Sequence, residues 1–231
     1  MLTNSGARTA PDRLTTWVVI AAYNEGAAIH EVVAGLVRLG WRVVVVDDGS
    51  HDETFQQAER AGATVLRHVL NLGQGAALQT GIDHALAAGA EAIVTFDADG
   101  QHSAVDVATL VHALSEADVA LGSRFLGQIQ GATRRRHALL RLSVVVSNLL
   151  SGSRFTDAHC GLRAFRASAA PNLRITQDRM AHASELLRKI VKSGLPVVEV
   201  PISVRYTDYS MAKGQTGLQA MRILFDYLVR R

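Results

Sequence analysis

The stretch Ala92-Ile-Val-Thr-Phe-Asp-Ala-Asp-Gly-Gln101 joins an apolar run to two aspartates and a glutamine. The apolar residues predict a buried strand over 92–96. Asp97, Asp99 and Gln101 follow that strand, so several oxygen ligands lie within reach of one point. Mg²⁺ and Mn²⁺ prefer carboxylate, carbonyl and water oxygens, and such ions often bridge a protein to phosphates. The stretch therefore predicts a Mg²⁺ or Mn²⁺ site for a phosphorylated ligand.

A second acidic strand end, Val43-Val-Val-Val-Asp-Asp-Gly-Ser50, lies upstream of the first. Strand and helix patterns alternate along this half of the chain, which predicts βαβ units and a mostly parallel sheet of the α/β class. Ligands of such sheets bind beyond the carboxyl ends of the strands, where both acidic motifs lie. The predicted strands span 17–22, 42–46, 64–69, 92–96 and 119–122, and the helices span 27–39, 52–61, 75–88 and 105–114.

The alternation breaks after residue 122. The patterns there predict loops over 124–133 and 151–161, helices over 134–150, 180–192 and 218–229, a strand over 162–165 and an extended segment over 197–206. Gly, Pro, Ser and Thr in residues 1–13 predict a flexible tail. Since no composition shift marks a linker, 14–231 is expected to form a single domain with two functional halves.

Composition excludes several classes of protein. Of 231 residues, 48% are apolar and 19% charged, which is typical of a globular chain. The net charge of only +3 gives no sign of a nucleic-acid partner. The single Cys160 excludes an intrachain disulfide. No apolar run has signal-peptide character or reaches the ~20 residues that cross a bilayer, so we expect a cytoplasmic protein, either free or peripheral on the cytoplasmic face of a membrane.

The ends of the first two strands predict a nucleoside site. Asp48 is placed to accept hydrogen bonds from a ribose or base, whereas Asp47 and Ser50 are expected to shape the turn, with Ser50 as a helix N-cap. The segment Ala22-Tyr-Asn-Glu25 follows the first strand, where the nucleoside would lie. Its Glu25 either lines the pocket or only favours the start of the next helix.

Glycines and arginines at the same edge point to anions. Asn71-Leu-Gly-Gln-Gly75 opens a helix, and its glycines permit either close approach of an anion or simply a tight turn. Arg124 follows the fifth strand and suits a diphosphate. Residues 134–136 are three arginines at a helix start, which is unfavourable without an anion nearby. They are either solvated or bind phosphate, and His159 is the histidine that merits testing.

Together these motifs resemble family 2 glycosyltransferases of the GT-A fold, in the branch of dolichol-phosphate mannosyltransferase and bacterial polyprenyl-phosphate glycosyltransferases. The resemblance covers about residues 16–206 in the order of the family. The matching stretches are Ala22-Tyr-Asn-Glu25, Val45-Val-Asp-Asp-Gly-Ser50 with Asp52 and Thr54, Asn71-Leu-Gly-Gln-Gly75, Asp97-Ala-Asp-Gly-Gln101, Gly122-Ser-Arg-Phe125, Thr156-Asp157 with Gly161-Leu-Arg-Ala-Phe165, Glu185 and Glu199-Val-Pro-Ile202.

The resemblance implies a GDP- or UDP-sugar donor, a lipid-phosphate acceptor and inversion at the anomeric carbon. It implies a nucleotide-binding half over about 14–123, an acceptor-binding half over about 124–231, and Mg²⁺ or Mn²⁺ on Asp97, Asp99 and Gln101. The catalytic residues it suggests are Asp99, Arg124, Asp157 and Glu185. The substrate-binding residues it suggests are Ala22, Tyr23, Asn24, Glu25, Asp48, Asn71, Gly75, Asp97, Arg135, Arg136, His159, Arg163 and Lys213.

The acceptor decides whether the protein must supply a base. A lipid monophosphate, with a second pKa of about 6, is already an oxyanion near neutrality. A sugar hydroxyl would need a carboxylate to accept its proton. Asp157 and Glu185 are the candidates, although Glu185 could equally pair with Arg188 or Lys189. Transfer to a hydroxyl, a nucleotidyltransferase and a non-catalytic nucleotide-sugar-binding protein are the alternatives.

Two predicted helices, over 139–150 and 218–229, carry apolar faces beside arginines. Such helices either lie in a membrane interface or pack against the sheet. The sequence therefore leaves open peripheral membrane contact, a small membrane-protein partner and a homodimer.

Overall fold

Seven strands form one sheet in the computed structural model, which describes residues 8–178 and 181–206. In chain order these strands are β1 (Thr16–Ala22), β2 (Arg42–Asp47), β3 (Thr64–Arg67), β4 (Ala92–Asp97), β5 (Val119–Gln130), β6 (Arg163–Arg166) and β7 (Val197–Arg205). Their order across the sheet is β3-β2-β1-β4-β6-β5-β7. All neighbours are parallel except β6, which lies antiparallel between β4 and β5.

Helices cover both faces of this sheet. They are α1 (Ile29–Arg38), α2 (Thr54–Arg60), α3 (Gln74–Ala87), α4 (Asp106–Ala113), α5 (Arg134–Ser151) and α6 (His182–Ser193). Apolar residues of α1, α2 and α4 share one buried cluster with Val18 and Ile20 of β1, whereas α3 and α6 pack with Trp17 and Val19. Successive residues of a strand face opposite sides, so β1 contributes to both cores. The predicted mostly parallel α/β fold is confirmed.

The central strands end at one edge. β1 lies between β2 and β4 and is parallel to both. Ala22 is paired in register with Asp47, and Ala21 with Asp97, so the segments that follow these strands leave the sheet together. The carboxyl ends of such strands form the crevice where α/β proteins bind ligands. The two acidic motifs therefore lie at the same edge of the sheet, as the sequence predicts.

The loop predicted over 124–133 is wrong in its first part, because β5 continues to Gln130. An irregularity between Ser123 and Gln128 interrupts the pairing, and Gln128–Gln130 then pair with Ser203–Arg205 of β7. Gly127 lies in this irregularity, where an added Cβ would be 2.0 Å from the Ile202 carbonyl oxygen. A glycine there lets two strand backbones approach closely.

Two short 3₁₀ segments, Arg13–Thr15 and Ala167–Leu173, are present that the sequence analysis does not predict. Within 8–178 and 181–206, no helix has the length and apolar character needed to cross a membrane. The predicted helix over 218–229 and the candidate ligand Lys213 lie outside the described residues.

Candidate active site

The segment after β1 is held by the segment after β2. The backbone N–H of Asn24 donates to Ser50 Oγ at 2.9 Å, and the Asn24 side-chain oxygen accepts from the N–H of His51 at 2.9 Å. The N–H of Glu25 donates to Thr54 Oγ1 at 2.8 Å. Ser50 is therefore not the N-cap expected from the sequence, since α2 begins at Thr54 and the Ser50 hydroxyl serves the neighbouring loop.

These contacts fix a strained backbone at the edge of the sheet. Asn24 has a φ of 52°, the left-handed region that asparagine tolerates better than most residues. Ala22 is buried at the end of β1, whereas 41% of Tyr23 is exposed. Glu25 lies close enough to Asp99 to help raise the pKa of that residue. The first predicted nucleoside segment therefore lies beside the predicted metal motif.

Asp48 holds the loop that follows β3. Its carboxylate is buried and accepts hydrogen bonds from the N–H groups of Leu72 and Gly73 at 2.9 and 2.7 Å. It also contacts His68 Nδ1 at 2.7 Å. These three contacts give Asp48 a structural role; its proposed hydrogen bond to a ribose or base stays a prediction.

The glycine-containing start of α3 contacts protein atoms. The N–H groups of Gly75 and Ala76 donate to the Asp178 carbonyl oxygen at 2.6 and 3.3 Å. An added Cβ at Gly75 would lie 1.9 Å from the Gln177 carbonyl oxygen, which explains why glycine is needed. The side chain of Asn71 is exposed on the preceding loop. Gly75 thus allows close packing against residues 177–178, and anion binding stays a prediction.

A cavity of about 370 Å³ opens between the ends of β2 and β3. Gly49, Ser50 and His51 form one wall, and Arg67, His68 and Val69 form the other. Arg67 pairs with the buried Asp47 at 3.2 Å and donates to the Ser50 carbonyl oxygen at 3.0 Å. This cavity adjoins the predicted nucleoside segment, and each of its walls carries polar side chains.

Asp97 is oriented by a histidine. Its Oδ2 lies 3.0 Å from Nε2 of His102, a side chain only 4% exposed that packs edge-on against Phe96. Burial pushes the pKa of Asp97 up, but the hydrogen bond and charge of His102, together with Arg163 and Arg124, outweigh this and lower it. The carboxylate of Asp97 is therefore held as an anion, with its side chain 32% exposed.

The pKa of Asp99 is shifted in the opposite direction to that of Asp97. It accepts hydrogen bonds from the backbone N–H of Gln101 at 3.0 Å and from its side-chain amide at 2.5 Å. Burial and the negative charges of Asp97 and Glu25 raise the pKa of Asp99. Crowded carboxylates of one sign make a site where a cation relieves the repulsion.

The donor set suits a hard divalent cation. Asp97, Asp99 and Gln101 supply only oxygens, as Mg²⁺ and Mn²⁺ prefer. Nowhere in the described part of the chain do three or more His, Cys, Asp or Glu side chains converge as a metal cluster. Two carboxylates and an amide are an incomplete set on their own, and an ion held there would need water or phosphate oxygens to complete it.

Arg124 joins three elements. Its Nε donates to Asp157 Oδ2 at 2.6 Å, and its Nη1 donates to the Tyr206 hydroxyl at 2.9 Å. Burial lowers the pKa of Arg124, but the adjacent Asp157 outweighs this and raises it. Asp157 also accepts the backbone N–H of Arg124 at 3.1 Å. The structure thus brings together two of the predicted catalytic residues as a buried ion pair.

A second buried arginine lies close to both Asp97 and Asp157. Arg163 of β6 is buried, and its Nη2 donates weakly to the Ala158 carbonyl oxygen at 3.4 Å. Burial lowers the pKa of Arg163, opposed by Cys160, Asp97 and Asp157. Burial also raises the pKa of the Cys160 thiol to about 12, consistent with the structural role expected for it.

The start of α5 lies against the end of β7. Arg135 is exposed, whereas the guanidinium of Arg136 lies over the Tyr206 ring at 4.4 Å from its centroid. Beside it is a cavity of about 350 Å³ that mixes cationic and apolar walls. The residues lining it are Arg124, Phe125, Gly127, Ile129, Ala132, His137 and Arg141.

The sequence model of glycosyl transferase family 2 matches residues 17–174. The chain belongs to this family. The matched residues contain both acidic motifs, Arg124, Asp157 and Arg163. The chain is thus a glycosyltransferase, and the nucleotidyltransferase and non-catalytic alternatives are set aside.

Relatives of known name agree with this family. A UDP-N-acetylglucosamine–dolichyl-phosphate N-acetylglucosaminyltransferase of Methanococcus voltae is 32% identical, over 92% of this chain and 94% of that protein. A polyprenol monophosphomannose synthase of Mycolicibacterium smegmatis is 29% identical, over 93% and 87%. The glucosyl-3-phosphoglycerate synthase of Mycobacterium tuberculosis, solved with Mn²⁺, UDP and phosphoglyceric acid, superposes with a TM-score of 0.68 at 19% identity, over 92% and 78%. Its similarity supports the fold.

Glu185 of α6 is engaged by the segment that precedes this helix and by Lys189 on the helix itself. Glu185 accepts hydrogen bonds from the N–H groups of Thr176 and Gln177 and from the Thr176 hydroxyl, and it pairs with Lys189 at 2.8 Å. Burial would raise the pKa of Glu185, but Lys189 and these hydrogen bonds lower it. The pairing offered as the alternative is thus present, while a catalytic role stays a prediction.

His159 lies in the loop after α5. Its Nε2 is 2.9 Å from the Ser147 hydroxyl of α5, and its backbone N–H donates to Asp157 Oδ1 at 3.1 Å. These contacts hold the 151–161 loop against the helix. A role of His159 in substrate binding stays a prediction.

Two residues that shape the site, His102 and Tyr206, are not among the site residues predicted from the sequence, and Glu199 is predicted only as part of the stretch Glu199-Val-Pro-Ile202. His102 directly follows Gln101, and this adjacency was the available signal. Glu199 of β7 accepts hydrogen bonds from the N–H of Thr156 at 2.7 and 3.0 Å and from its hydroxyl at 2.7 Å, and so supports the Asp157 loop. Tyr206 gave no signal, because its contacts come from residues more than 60 positions earlier in the sequence.

Proposed function

We propose that this glycosyltransferase moves a sugar from a nucleotide-sugar to a polyprenyl phosphate, with inversion and with a divalent cation. The observation that carries the proposal is the arrangement of Arg124 and Arg136, which meet at Tyr206. The end of β7 that bears this tyrosine also contacts the metal motif, because Arg205 N–H donates to the Gln101 carbonyl oxygen at 2.9 Å. The arginine side chains thus adjoin the predicted metal site. An enzyme that joins two phosphorylated substrates needs positive charge at this place.

The donor half supplies the leaving group's environment. Asp97, Asp99 and Gln101 would hold Mg²⁺ or Mn²⁺, and the ion would neutralise the charge that develops on the departing nucleoside diphosphate. The segment 22–25 and the cavity beside His68 would take the nucleoside. We propose a GDP- or UDP-sugar as the donor. The named relative from Methanococcus voltae uses a UDP-sugar.

The acceptor half favours a phosphate over a hydroxyl. A phosphate monoester oxygen attacks the anomeric carbon directly, while the bond to the nucleoside diphosphate breaks on the opposite side of the ring. A phosphate monoester is mostly deprotonated near neutral pH, so the reaction needs no strong base. A hydroxyl acceptor would need Asp157 or Glu185 to take its proton, but both carboxylates are engaged by Arg124 or by Thr176, Gln177 and Lys189.

An exposed apolar face of α5 supports contact with the membrane that holds such a lipid. Leu139, Leu142, Val145 and Leu149 are 53 to 83% exposed along one side of the helix, near the exposed Arg135. Apolar side chains beside arginines suit an anionic lipid surface. A peripheral position on the cytoplasmic side of a membrane would suit both the proposed acceptor and this exposed face.

The test combines donor screening with acceptor choice. UDP-, GDP-, dTDP- and CDP-sugars are added with Mn²⁺, and the correct donor raises the melting temperature because it binds the folded state. That labelled donor is then offered to polyprenyl phosphate or to free saccharides. We expect label only in the lipid, and product on saccharides alone would refute the proposal.

A further inference from the structure

The end of β7 connects the two substrate halves. His102 forms an antiparallel bridge with Val204, and the backbone of Arg205 is bonded to Gln101, so the strand contacts the loop of the metal motif. One residue later the backbone N–H of Tyr206 donates to the Gln130 carbonyl oxygen at 3.0 Å. The backbone at Tyr206 is thereby held from two sides, by the loop of the metal motif and by β5.

Tyr206 contacts two cations with two different parts of its side chain. Its hydroxyl accepts from Arg124 Nη1 at 2.9 Å, and its ring lies under Arg136 at 4.4 Å. Only 7% of the residue is exposed, so the contacts are largely shielded from water. A guanidinium is planar and its N–H groups have a fixed geometry. A contact at one edge therefore orients the whole charged group.

Arg124 needs this second contact. Asp157 binds Nε at 2.6 Å and fixes one end of the guanidinium, but a single bond leaves the plane free to turn about it. The Tyr206 hydroxyl fixes Nη1 and therefore sets the plane. Other N–H groups of the fork can then face a ligand. Arg136, on the first turn of α5, is restrained instead by the aromatic face.

We propose that Tyr206 is a positioning residue that orients Arg124 through its hydroxyl and Arg136 through its ring toward the phosphate of the acceptor. The inference rests on the proposed function, because it requires a phosphate acceptor. Tyr206 acts only through the two arginines. The donor site proposed above consists of Asp97, Asp99, Gln101, the segment 22–25 and the cavity beside His68, so we expect the Tyr206 side chain to affect the apparent affinity for the nucleotide-sugar only slightly.

The test is steady-state kinetics on the full chain with polyprenyl phosphate and the donor found above. Tyr206→Phe removes the hydroxyl and keeps the ring, so we expect KM for the lipid phosphate to rise about tenfold, the usual size of one hydrogen bond to a charged group. KM for the nucleotide-sugar should change less than twofold. Ser193→Ala is the matched control, since it removes a hydrogen-bonded hydroxyl at the far end of α6.

A second pair of variants isolates the ring. Tyr206→Leu should raise KM for the lipid phosphate a further fivefold or so over Tyr206→Phe, because the cation–π contact to Arg136 is lost as well. This difference between the leucine and phenylalanine variants should vanish when Arg136 is replaced by Met. Melting temperatures of all variants exclude a general loss of folding as the cause.

Each result decides something. An unchanged lipid KM in Tyr206→Phe, or an equal rise for both substrates, overturns the positioning role while the proposed function stands. A wild-type protein that glycosylates no lipid phosphate overturns the proposed function, and this inference with it. A leucine–phenylalanine difference that persists with Arg136→Met overturns the part assigned to the ring.

Discussion

The loop after β4 and the loop after α5 both carry aspartates, but the surroundings of those carboxylates differ. Asp97 and Asp99 lie at the open edge of the sheet, beside a histidine, a glutamine and each other. Asp157 is buried against Arg124, with its loop held by Glu199. Asp97 and Asp99 keep negative charge available to a ligand, whereas Asp157 uses its charge to hold the Arg124 side chain in place. We infer that proximity to the sheet edge does not by itself make a carboxylate catalytic.

The strongest test of this contrast is Asp99→Asn. If Asp99 binds the metal, turnover of labelled nucleotide-sugar in Mn²⁺ should fall by about 10³-fold or more, because a Lewis acid supplies several kcal/mol to the transition state. The metal-free variant should melt no lower than wild type, since removing the Asp99 charge relieves its repulsion with Asp97 and Glu25. Retained metal-dependent turnover would contradict the assignment.

The next test is Asp157→Asn, which breaks the buried ion pair. We expect the free energy of unfolding to fall by about 3 kcal/mol, because Arg124 is left buried beside a neutral amide. Urea unfolding followed by circular dichroism measures this. A general base would behave differently: a 10²- to 10⁴-fold loss of kcat with unchanged stability would assign that role to Asp157.

Glu185→Gln separates structure from catalysis on α6. The hydrogen bonds and Lys189 lower the pKa of Glu185 below its ordinary 4.5, so its ionised form stabilises the fold at neutral pH. We expect a loss of about 2 kcal/mol at pH 7. A carboxyl group whose pKa is lowered by folding stabilises the fold fully only when the pH is above its unfolded pKa. The difference in stability from wild type should therefore shrink as the pH falls below 4.5. Undiminished kcat would complete the structural assignment.

The smallest expected effect concerns the outer face of α5. Leu139→Gln and Leu142→Gln together should weaken binding to anionic vesicles that contain polyprenyl phosphate, by about fivefold per side chain if each loses ~1 kcal/mol of apolar burial. Liposome flotation measures this. Val191→Gln, an exposed valine on α6, is the control. Equal flotation of all three proteins would remove membrane contact from the proposal.

Local pattern is enough to predict the first half of the fold. Apolar runs predict β1, β2 and β4 to within a residue or two, because each strand is buried on both faces. β5 is harder. Its second part is mostly exposed and contains Gly127, and it is a strand only because β7, some 70 residues later, pairs with it.

The candidate site also has a part that local sequence predicts and a part that it does not. The metal motif is contiguous, so its oxygens are visible in the sequence. The roles of Asp157 and Asp48 depend on partners 33 and 25 residues away, which no local pattern reveals. Tyr206 is the extreme case, since its contact with Arg124 spans 82 residues. The types of residue at the sheet edge can therefore be predicted from the sequence. The partner of each charged side chain can be identified only from the folded structure.

The antiparallel strand β6 has a consequence for the nascent chain. β4 leaves the ribosome with β1 available on one side, but its other neighbour, residues 163–166, emerges only about 66 residues later. Until then one edge of β4 is unpaired, and β5 emerges first as a competing partner for it. Synthesis at the usual pace leaves this edge open for several seconds, so a chaperone that shields it would raise the yield of correctly ordered sheet.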